Sequence, residues 1–201
     1  YLEMALAAGS NQFKTSRLVV EDFIIGKGLI LPEGEVKTVQ TVLTLLEDQV
    51  YQFQIFSQQH EEGKDEPRWI LNAQGKISPL ATESVISDVN LENYKAECDQ
   101  SIDVKEHYQK ARQQRICHGA SFQGIQQLWT GSNQTIGQIK LPEKLVTGVA
   151  DYVLHPSLLD GALHLPLLDA GLRGSKLGET NQTYLPVAIQ QLKVYASPEL
   201  S

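Results

Sequence analysis

The sequence predicts an α+β protein built from two similar units, each with one apolar helix and several β-strands. In the first half, a short apolar helical segment precedes four segments with the alternation or β-branched content of strands. A polar stretch without periodicity follows, from residue 78 to about residue 103, and a second series of helical and strand-like segments then begins. A chain of 201 residues can form one large core or two small ones, so two units fit its length.

The first unit is predicted to be a helix followed by an antiparallel sheet. The apolar residues of "YLEMALAAG" favour a helix, and Gly9 is expected to end it in the left-handed conformation. Strand-like segments cover residues 17–25, 36–46, 50–58 and 69–77. In the third of these, Tyr51, Phe53 and Ile55 alternate with polar residues and predict one buried face. The fourth contains "NAQG", at residues 72–75, which resembles a turn.

The second unit repeats this composition. Its segments are a polar-faced helix at 104–115, a hairpin around 131–133, an apolar helix that begins at Pro156 and a strand at 184–196. We therefore expect a first unit at residues 1–80, a linker at 81–103 that contains one short helical piece, and a second unit at 104–201.

Composition and charge restrict the class of function. The net charge of -7 and the scattered basic residues argue against nucleic acid as a partner. The chain has no apolar run of the ~18 to 20 residues that a membrane span requires, and its start lacks the basic segment of a signal peptide. We therefore expect a cytoplasmic protein without membrane contact. Cys98 and Cys117 match no metal or redox spacing and are expected to be free thiols.

The segment "HPSLLDGALH", residues 155–164, places a carboxyl group on an apolar helix. With Pro156 at the first helical position, Asp160 lies a full turn inside the helix, too deep to cap its N-terminus. Asp160 and His164 are four residues apart and share a face flanked by leucines, where a carboxyl group can stay protonated and donate a proton. The residues alone leave open whether this pair is a general acid with its partner or a structural pair at the edge of a helix.

The other histidines give weaker indications. His60 lies in a charged turn and His107 on the polar face of a helix, so both are expected to be exposed to solvent. His155 precedes a proline and is expected to help start the helix. His118 follows Cys117, and because adjacent residues cannot readily chelate one ion, we expect no zinc site there. No glycine-rich phosphate loop or nucleophile motif indicates a bound cofactor.

Four segments, "YLEMALAAG", "HGASFQGIQQLW", "LHPSLLDGALH" and "YLPVAIQQLKVYA", occur in an order and spacing that resembles the dehydratase domain of modular polyketide synthases. The resemblance spans essentially the whole chain. It implies a double hotdog fold, in which two units, each a long helix wrapped by an antiparallel sheet, are joined by a linker. Relative to that fold the chain is expected to be truncated at both ends.

The resemblance also implies a reaction and roles for residues. Dehydratase domains of this family remove water from a β-hydroxyacyl chain carried on an acyl carrier protein, which gives an α,β-enoyl thioester. Asp160 is at the position of the family's aspartate and would protonate the departing hydroxyl group. His164, at the Gln or His position four residues later, would hold the carboxyl group in place. A histidine in a motif just before Tyr1 would remove the α-proton, so this chain by itself is expected to be inactive.

The resemblance further implies a substrate tunnel and shows departures from the family. The implied tunnel residues are His118, Gly119, Phe122, Leu159, Leu185 and Pro186. The family's "YGPxF" is "HGASF" here, with His118 at the tyrosine position and Ala120 in place of proline. His118 would either replace the tyrosine as a polar donor or mark weakened or altered chemistry. Pro166 is expected to kink the helix or to end it near Leu165.

The resemblance implies neither a cofactor nor a metal, because the substrate is held on the phosphopantetheine arm of the acyl carrier protein. That carrier and the neighbouring synthase domains are the implied partners, and a homodimer is the implied assembly. Two alternatives stay open. One is a non-catalytic acyl-binding or scaffold hotdog domain, which His118 and Ala120 favour and the retained Asp160 opposes. The other is a relative that shifts a double bond or closes a cyclic ether, but double-bond shifting is associated with asparagine at this position, so Asp160 favours dehydration.

Overall fold

The computed structural model describes residues 1–59, 66–81, 90–113, 115–132, 134–172 and 185–196, and of 166–172 the backbone alone. The chain separates into two compact units. Described residues 1–59, 66–81 and 186–196 form the first unit, and described residues 90–172 with Leu185 form the second. Within these described residues, no helix is both long and apolar enough to cross a membrane.

In chain order, the helices and strands are α1 (Leu2–Phe13), β1 (Leu18–Ile25), β2 (Val39–Glu47), β3 (Val50–Gln59), β4 (Arg68–Pro79), α2 (Leu91–Ala96), β5 (Gln100–Ile102), α3 (Val104–Gln113), β6 (Ile125–Thr130), β7 (Thr135–Ile139), α4 (Pro156–Leu172) and β8 (Ala188–Val194). Two 3₁₀ segments, Ala120–Phe122 and Glu143–Asp151, precede β6 and α4 respectively. The two α+β units predicted from the sequence are confirmed, and Cys98 and Cys117 are free thiols.

The first unit is a five-stranded antiparallel sheet in the order β2-β3-β4-β1-β8, with α1 packed against β1, β2 and β4. Phe53 and Ile55 are fully buried and Tyr51 is half-buried, so the alternation in β3 identified the core face. Leu6 of α1 is also fully buried. The core of this unit therefore lies between the helix and one face of the sheet.

Two glycines that were predicted to interrupt elements of this unit lie inside them. Gly9 is within α1, where its hydrogen faces the side chain of Ile77, and the helix ends instead at Lys14, whose φ of 58° is left-handed. Gly75 is within β4 opposite Phe53, and a β-carbon there would lie 2.7 Å from the Phe53 ring. Both glycines permit a close approach of a neighbouring side chain, and the turn predicted at residues 72–75 does not form.

The C-terminal strand belongs to the first unit, although the sequence analysis placed it in a second unit at 104–201. β8 pairs antiparallel with β1, from Leu18 opposite Val194 to Ile24 opposite Ala188. The residue pattern of β8 gave its strand character, but a local pattern carries no information about which sheet edge a strand joins. The predicted linker also contains more structure than one helical piece, because β5 adds a strand to the second sheet.

The second unit is a three-stranded antiparallel sheet in the order β5-β6-β7, with α4 packed against β7. The predicted hairpin is confirmed, and its turn includes a hydrogen bond from Gly131 N to Gln134 O of 2.9 Å. Glycines bring α4 close to the sheet, since a β-carbon at Gly161 would lie 3.0 Å from Ile139 and one at Gly137 would lie 2.7 Å from Leu165. Of the two outcomes predicted from Pro166, a kink or an end near Leu165, the end does not occur, because the helix continues to Leu172.

Candidate active site

Three elements of the second unit bring titratable side chains together. The second and third turns of α4 supply Asp160 and His164, the middle of α3 supplies His107 and Tyr108, and His118 comes from the segment between α3 and β6. Their rings and carboxyl group form one cluster, in which the ring centroids of His118 and His164 lie 4.3 Å apart and those of His107 and His164 lie 5.5 Å apart. The sequence predicts that Asp160 and His164 lie together, and the structure adds His107, Tyr108 and His118.

Side-chain caps fix the start of both helices. In α4 the Nδ1 atom of buried His155 accepts a hydrogen bond of 3.1 Å from Ser157 N, which confirms the predicted role of His155 at the helix start. In α3 the Asp103 carboxylate accepts hydrogen bonds of 2.7 and 3.1 Å from Lys105 N and Glu106 N. The side chains one turn further along each helix are therefore held in a defined position.

Asp160 lies among imidazoles rather than among leucines. Its Oδ2 atom is 3.5 Å from Nε2 of His164 and 3.7 Å from Nε2 of His118. This oxygen is buried and makes no hydrogen bond to any described residue, although the Asp160 side chain as a whole is 37% exposed. A movement of a few tenths of an ångström would bring it within hydrogen-bond distance of either ring. The carboxyl group thus has one open side and one side enclosed by two imidazoles.

His107 was predicted to be exposed, and this prediction is wrong. The residue is 8% exposed, and its Nε2 atom lies 3.3 Å from Nδ1 of His164. Ala111 follows His107 by four residues, and the two form the buried face of α3. His60, the other histidine expected in solvent, lies outside the described residues.

Burial keeps the inner imidazoles neutral at pH 7. Desolvation, together with smaller effects of the neighbouring His164 and His118, lowers the pKa of His107 from 6.5 to about 4. Desolvation also lowers the pKa of His164, against the opposing effect of Asp160. A neutral imidazole has one donor and one acceptor nitrogen, so it can pair with the carboxyl group in either protonation state. If Asp160 carries the proton, it faces an unprotonated His164 Nε2, and His164 Nδ1–H donates to His107 Nε2.

Tyr108 supports the remaining histidine. Its hydroxyl group accepts a hydrogen bond of 3.2 Å from Ile125 N and donates one of 3.5 Å to Phe122 O, while its ring lies 5.6 Å from that of His118. Burial raises the pKa of Tyr108. The Nδ1 atom of His118 is buried and has no hydrogen-bond partner among the described residues. Ring packing against Tyr108 and His164 therefore orients His118.

A cleft of about 600 Å³ opens beside this cluster. Its lining residues are Val104, Lys105, Tyr108, Gln109, Arg112, Cys117, His118, Gly119, Gln123 and Ile125. Of the residues that the family resemblance assigned to a tunnel, His118 and Gly119 line it. The other four do not, and Phe122 and Leu185 are 39% and 66% exposed. The cleft therefore reaches His118 and Tyr108 of the cluster from the side of α3.

The cluster also contains ligands suited to a metal ion. His118, Asp160 and His164 each offer one ligand atom, and these atoms all lie within 4.8 Å of one another. Cys117, the sequence neighbour of His118, is exposed and is not one of these ligands, so spacing between adjacent residues could not indicate the group.

Known protein families and solved structures resemble this chain over most of its length. Residues 1–58 match the family described as "Polyketide synthase dehydratase domain", and residues 86–201 match "Polyketide synthase dehydratase N-terminal domain". The dehydratase domain from the CurF module of curacin polyketide synthase is 40% identical, with a TM-score of 0.79, over 98% of this chain and 67% of that chain. The domain from the CurK module is 41% identical, with a TM-score of 0.80, over 98% and 66%.

Two further solved structures are inactive mutants of CurK dehydratase, one with a histidine replaced by phenylalanine and one with an aspartate replaced by asparagine. Among curated proteins, a phenolphthiocerol synthesis polyketide synthase type I of Mycobacterium tuberculosis, with the word inactive in its name, is 22% identical over 98% of this chain. This chain spans 11% of that synthase. The likeness to the curacin dehydratases confirms the α+β double hotdog fold, and the chain belongs to the polyketide synthase dehydratase domains.

Proposed function

We propose that this chain provides the general acid of a dehydratase, which removes water from a β-hydroxyacyl thioester and leaves an α,β-enoyl thioester. One observation carries the proposal. The Asp160 Oδ2 atom is buried beside two imidazoles without a hydrogen bond to any described residue, while the rest of the side chain is open. A general acid needs both properties, because its proton must reach substrate and its orientation must be fixed.

In this proposal Asp160 donates its proton to the β-hydroxyl group as the C–O bond breaks, and water leaves. His164 accepts from the protonated carboxyl group between turnovers, and His107 holds the tautomer of His164 that can do so. The low pKa of His107 and the lowered pKa of His164 support this assignment, because a charged imidazole would favour the carboxylate. The α-proton would be taken by the histidine that the family places before Tyr1.

The relatives support the pairing of an aspartate with a histidine. In CurK dehydratase, replacement of one aspartate by asparagine and of one histidine by phenylalanine each gives a mutant named inactive. We assign the aspartate role to Asp160. His118, 3.7 Å from the carboxyl group, would serve as the polar group that assists the departing hydroxyl in place of the family's tyrosine.

The proposed substrate is carried on the phosphopantetheine arm of an acyl carrier protein, so the reaction would need no cofactor bound to this chain. The curated relatives are polyketide synthases, which supports the carrier and the neighbouring synthase domains as partners. A homodimer is the proposed assembly.

The test replaces Asp160 by asparagine in the protein that contains this chain. With a β-hydroxyacyl chain on its carrier, mass spectrometry of the carrier should show that Asp160→Asn slows the loss of water by about 10²- to 10⁴-fold. Asp151→Asn is the matched control, because it makes the same chemical change at an exposed position of the same unit and should keep full activity. Enoyl product at the normal rate from Asp160→Asn would exclude the assignment.

A non-catalytic domain is the second candidate. It is favoured by His118 at the tyrosine position and by the Mycobacterium tuberculosis relative named as inactive. The two candidates predict different results for the unaltered protein, since a scaffold domain would release no water from any β-hydroxyacyl carrier. If water loss is slow, His118→Tyr should accelerate it only if the site is catalytic.

A further inference from the structure

The cluster that holds Asp160 is built like a metal site. We propose that His118, Asp160 and His164 bind one divalent transition-metal ion, such as Zn²⁺, with three protein ligands and an open fourth position. Catalytic zinc sites in proteins have this composition, in which histidine nitrogen and carboxylate oxygen ligands leave one position for water or substrate.

The distances agree with a shared ion. In a tetrahedral site with bonds of about 2.0 to 2.1 Å, neighbouring ligand atoms lie about 3.3 to 3.4 Å apart. Asp160 Oδ2 is 3.5 Å from His164 Nε2 and 3.7 Å from His118 Nε2. All three ligand atoms lie within 4.8 Å of one another, so the two imidazole nitrogens must move closer together than either must move toward the carboxylate oxygen. Small rotations of the two rings toward Asp160 Oδ2 would complete the geometry.

The ligand atoms are available and protected. The His118 and His164 side chains are 8% and 11% exposed, and Asp160 Oδ2 is buried without a hydrogen bond to any described residue. A buried acceptor without a partner is costly, and an ion bound there would satisfy it. The open side of Asp160 gives the ion a path from the solvent.

His107 completes the arrangement from a different helix. A metal-bound imidazole usually donates its other N–H group to a hydrogen-bond acceptor, which fixes its tautomer and orientation. His164 Nδ1 lies 3.3 Å from His107 Nε2, so His164 can donate there and direct its unprotonated Nε2 atom toward Asp160. His155, in contrast, uses its Nδ1 atom to cap α4.

The proposed site has a consequence that rests on the proposed function. A carboxylate bound to an ion cannot carry the proton that the departing hydroxyl group requires, so the ion and the acid form of Asp160 exclude each other. Divalent transition metals would therefore inhibit water loss, and a chelator would restore it.

The binding test uses Co²⁺ as a spectroscopic probe of the full chain, without substrate or carrier. We expect one Co²⁺ per chain, with the strong visible absorption of a tetrahedral or five-coordinate ion, displaced by Zn²⁺. His107→Leu should weaken binding by about 10- to 100-fold, and His118→Gln or His164→Gln by more. Cys117→Ser, which removes an adjacent exposed thiol, should leave the affinity unchanged. Circular dichroism verifies that each variant is folded, and Asp160→Asn, which keeps the shape of the side chain, provides an independent ligand variant.

Two results would overturn the proposal. One is the absence of this absorption at equimolar Co²⁺, and the other is absorption that persists in folded His118→Gln, His164→Gln and Asp160→Asn chains. Because binding is measured without turnover, the outcome is independent of the proposed function. A chain that binds Co²⁺ but removes no water from a β-hydroxyacyl carrier retains the metal site and loses the dehydratase assignment.

Discussion

The substitution His107→Leu removes the hydrogen-bond partner of His164 Nδ1 and leaves a buried apolar side chain on α3. The pair spans 57 positions of the sequence and joins two helices, with 3.3 Å between the two nitrogen atoms. The Asp160 Oδ2 atom lies 3.5 Å from His164 and 3.7 Å from His118, and the substitution alters neither residue. The substitution therefore tests whether the orientation of His164, one residue removed from the acid, controls the reaction.

The expected magnitude follows from burial. His164 is 9% exposed, so its Nδ1 atom cannot readily exchange His107 for water. A buried polar group left without a partner costs about 1 to 3 kcal/mol, and we expect the free energy of unfolding to fall by that amount. If His164 then turns away from Asp160, kcat should fall by up to about 10²-fold, the effect of a misplacement of about 1 Å. KM should change little, because His107 does not line the cleft.

The assay combines urea unfolding, steady-state kinetics with a carrier-bound β-hydroxyacyl substrate, and nitrogen-15 NMR of the imidazoles. His107→Gln is the matched control, since its amide can still donate a hydrogen bond to His164 or accept one from it. Its free energy of unfolding and its kcat should fall less than those of His107→Leu. We expect one defined tautomer of His164 in the unaltered chain and a mixture in His107→Leu. An unchanged kcat together with an unchanged tautomer in His107→Leu would refute the proposed relay.

Three further predictions concern stability, all measured by urea unfolding. The pKa of His107 falls from 6.5 in the unfolded chain to about 4 in the folded chain, so the unfolded chain binds a proton first as the pH falls. The stability present above pH 6.5 is therefore lost as the pH falls toward 4, by at most about 1.4 kcal/mol per pH unit for this group. The same dependence of stability on pH in His107→Gln would contradict this prediction. Gly75→Ala should cost about 1 to 3 kcal/mol, because its methyl group would lie 2.7 Å from a phenylalanine ring and 2.9 Å from a backbone oxygen. Gly28→Ala, with open space around it, is the control, and an equal effect would count against overpacking. His155→Ala removes the acceptor of Ser157 N and should cost about 0.5 to 2 kcal/mol, whereas His155→Asn should restore most of it.

The first sheet could be predicted where one face of a strand is buried. Phe53 and Ile55 alternate with less buried residues, and both are fully buried in β3. Apart from the placement of β8, the errors came from glycine, which permits both a turn and a close approach. At Gly75 the close approach applies, because the ring of Phe53 on the neighbouring strand occupies the space of the missing side chain. Whether a glycine forms a turn or permits a close approach depends on the neighbouring strand, which the local sequence pattern does not identify.

The candidate site could be predicted only in its local part. Asp160 and His164 are four residues apart on α4, so helical periodicity alone places them together. His107 and His118 come from other elements, and their meeting with α4 depends on how the helices pack in the second unit. The segment around His107 is rich in charged and amide side chains, which concealed that one face of α3 is buried. Polarity of a segment is a poor guide to the burial of a single imidazole in it.

The pairing of β8 with β1 has a consequence for synthesis of the chain on the ribosome. Gln191 of β8 donates a hydrogen bond to Glu21 of β1 across 170 positions of the sequence. The first sheet therefore cannot add β8 until the entire second unit has been translated. Pairing β8 with β1 then closes a loop that contains the second unit, and closing so large a loop is slow. During that interval the backbone groups of β1 that later pair with β8 form an open strand edge, which is a template for misassociation between nascent chains. A nascent chain that stalls before residue 188 carries this exposed edge for as long as it persists.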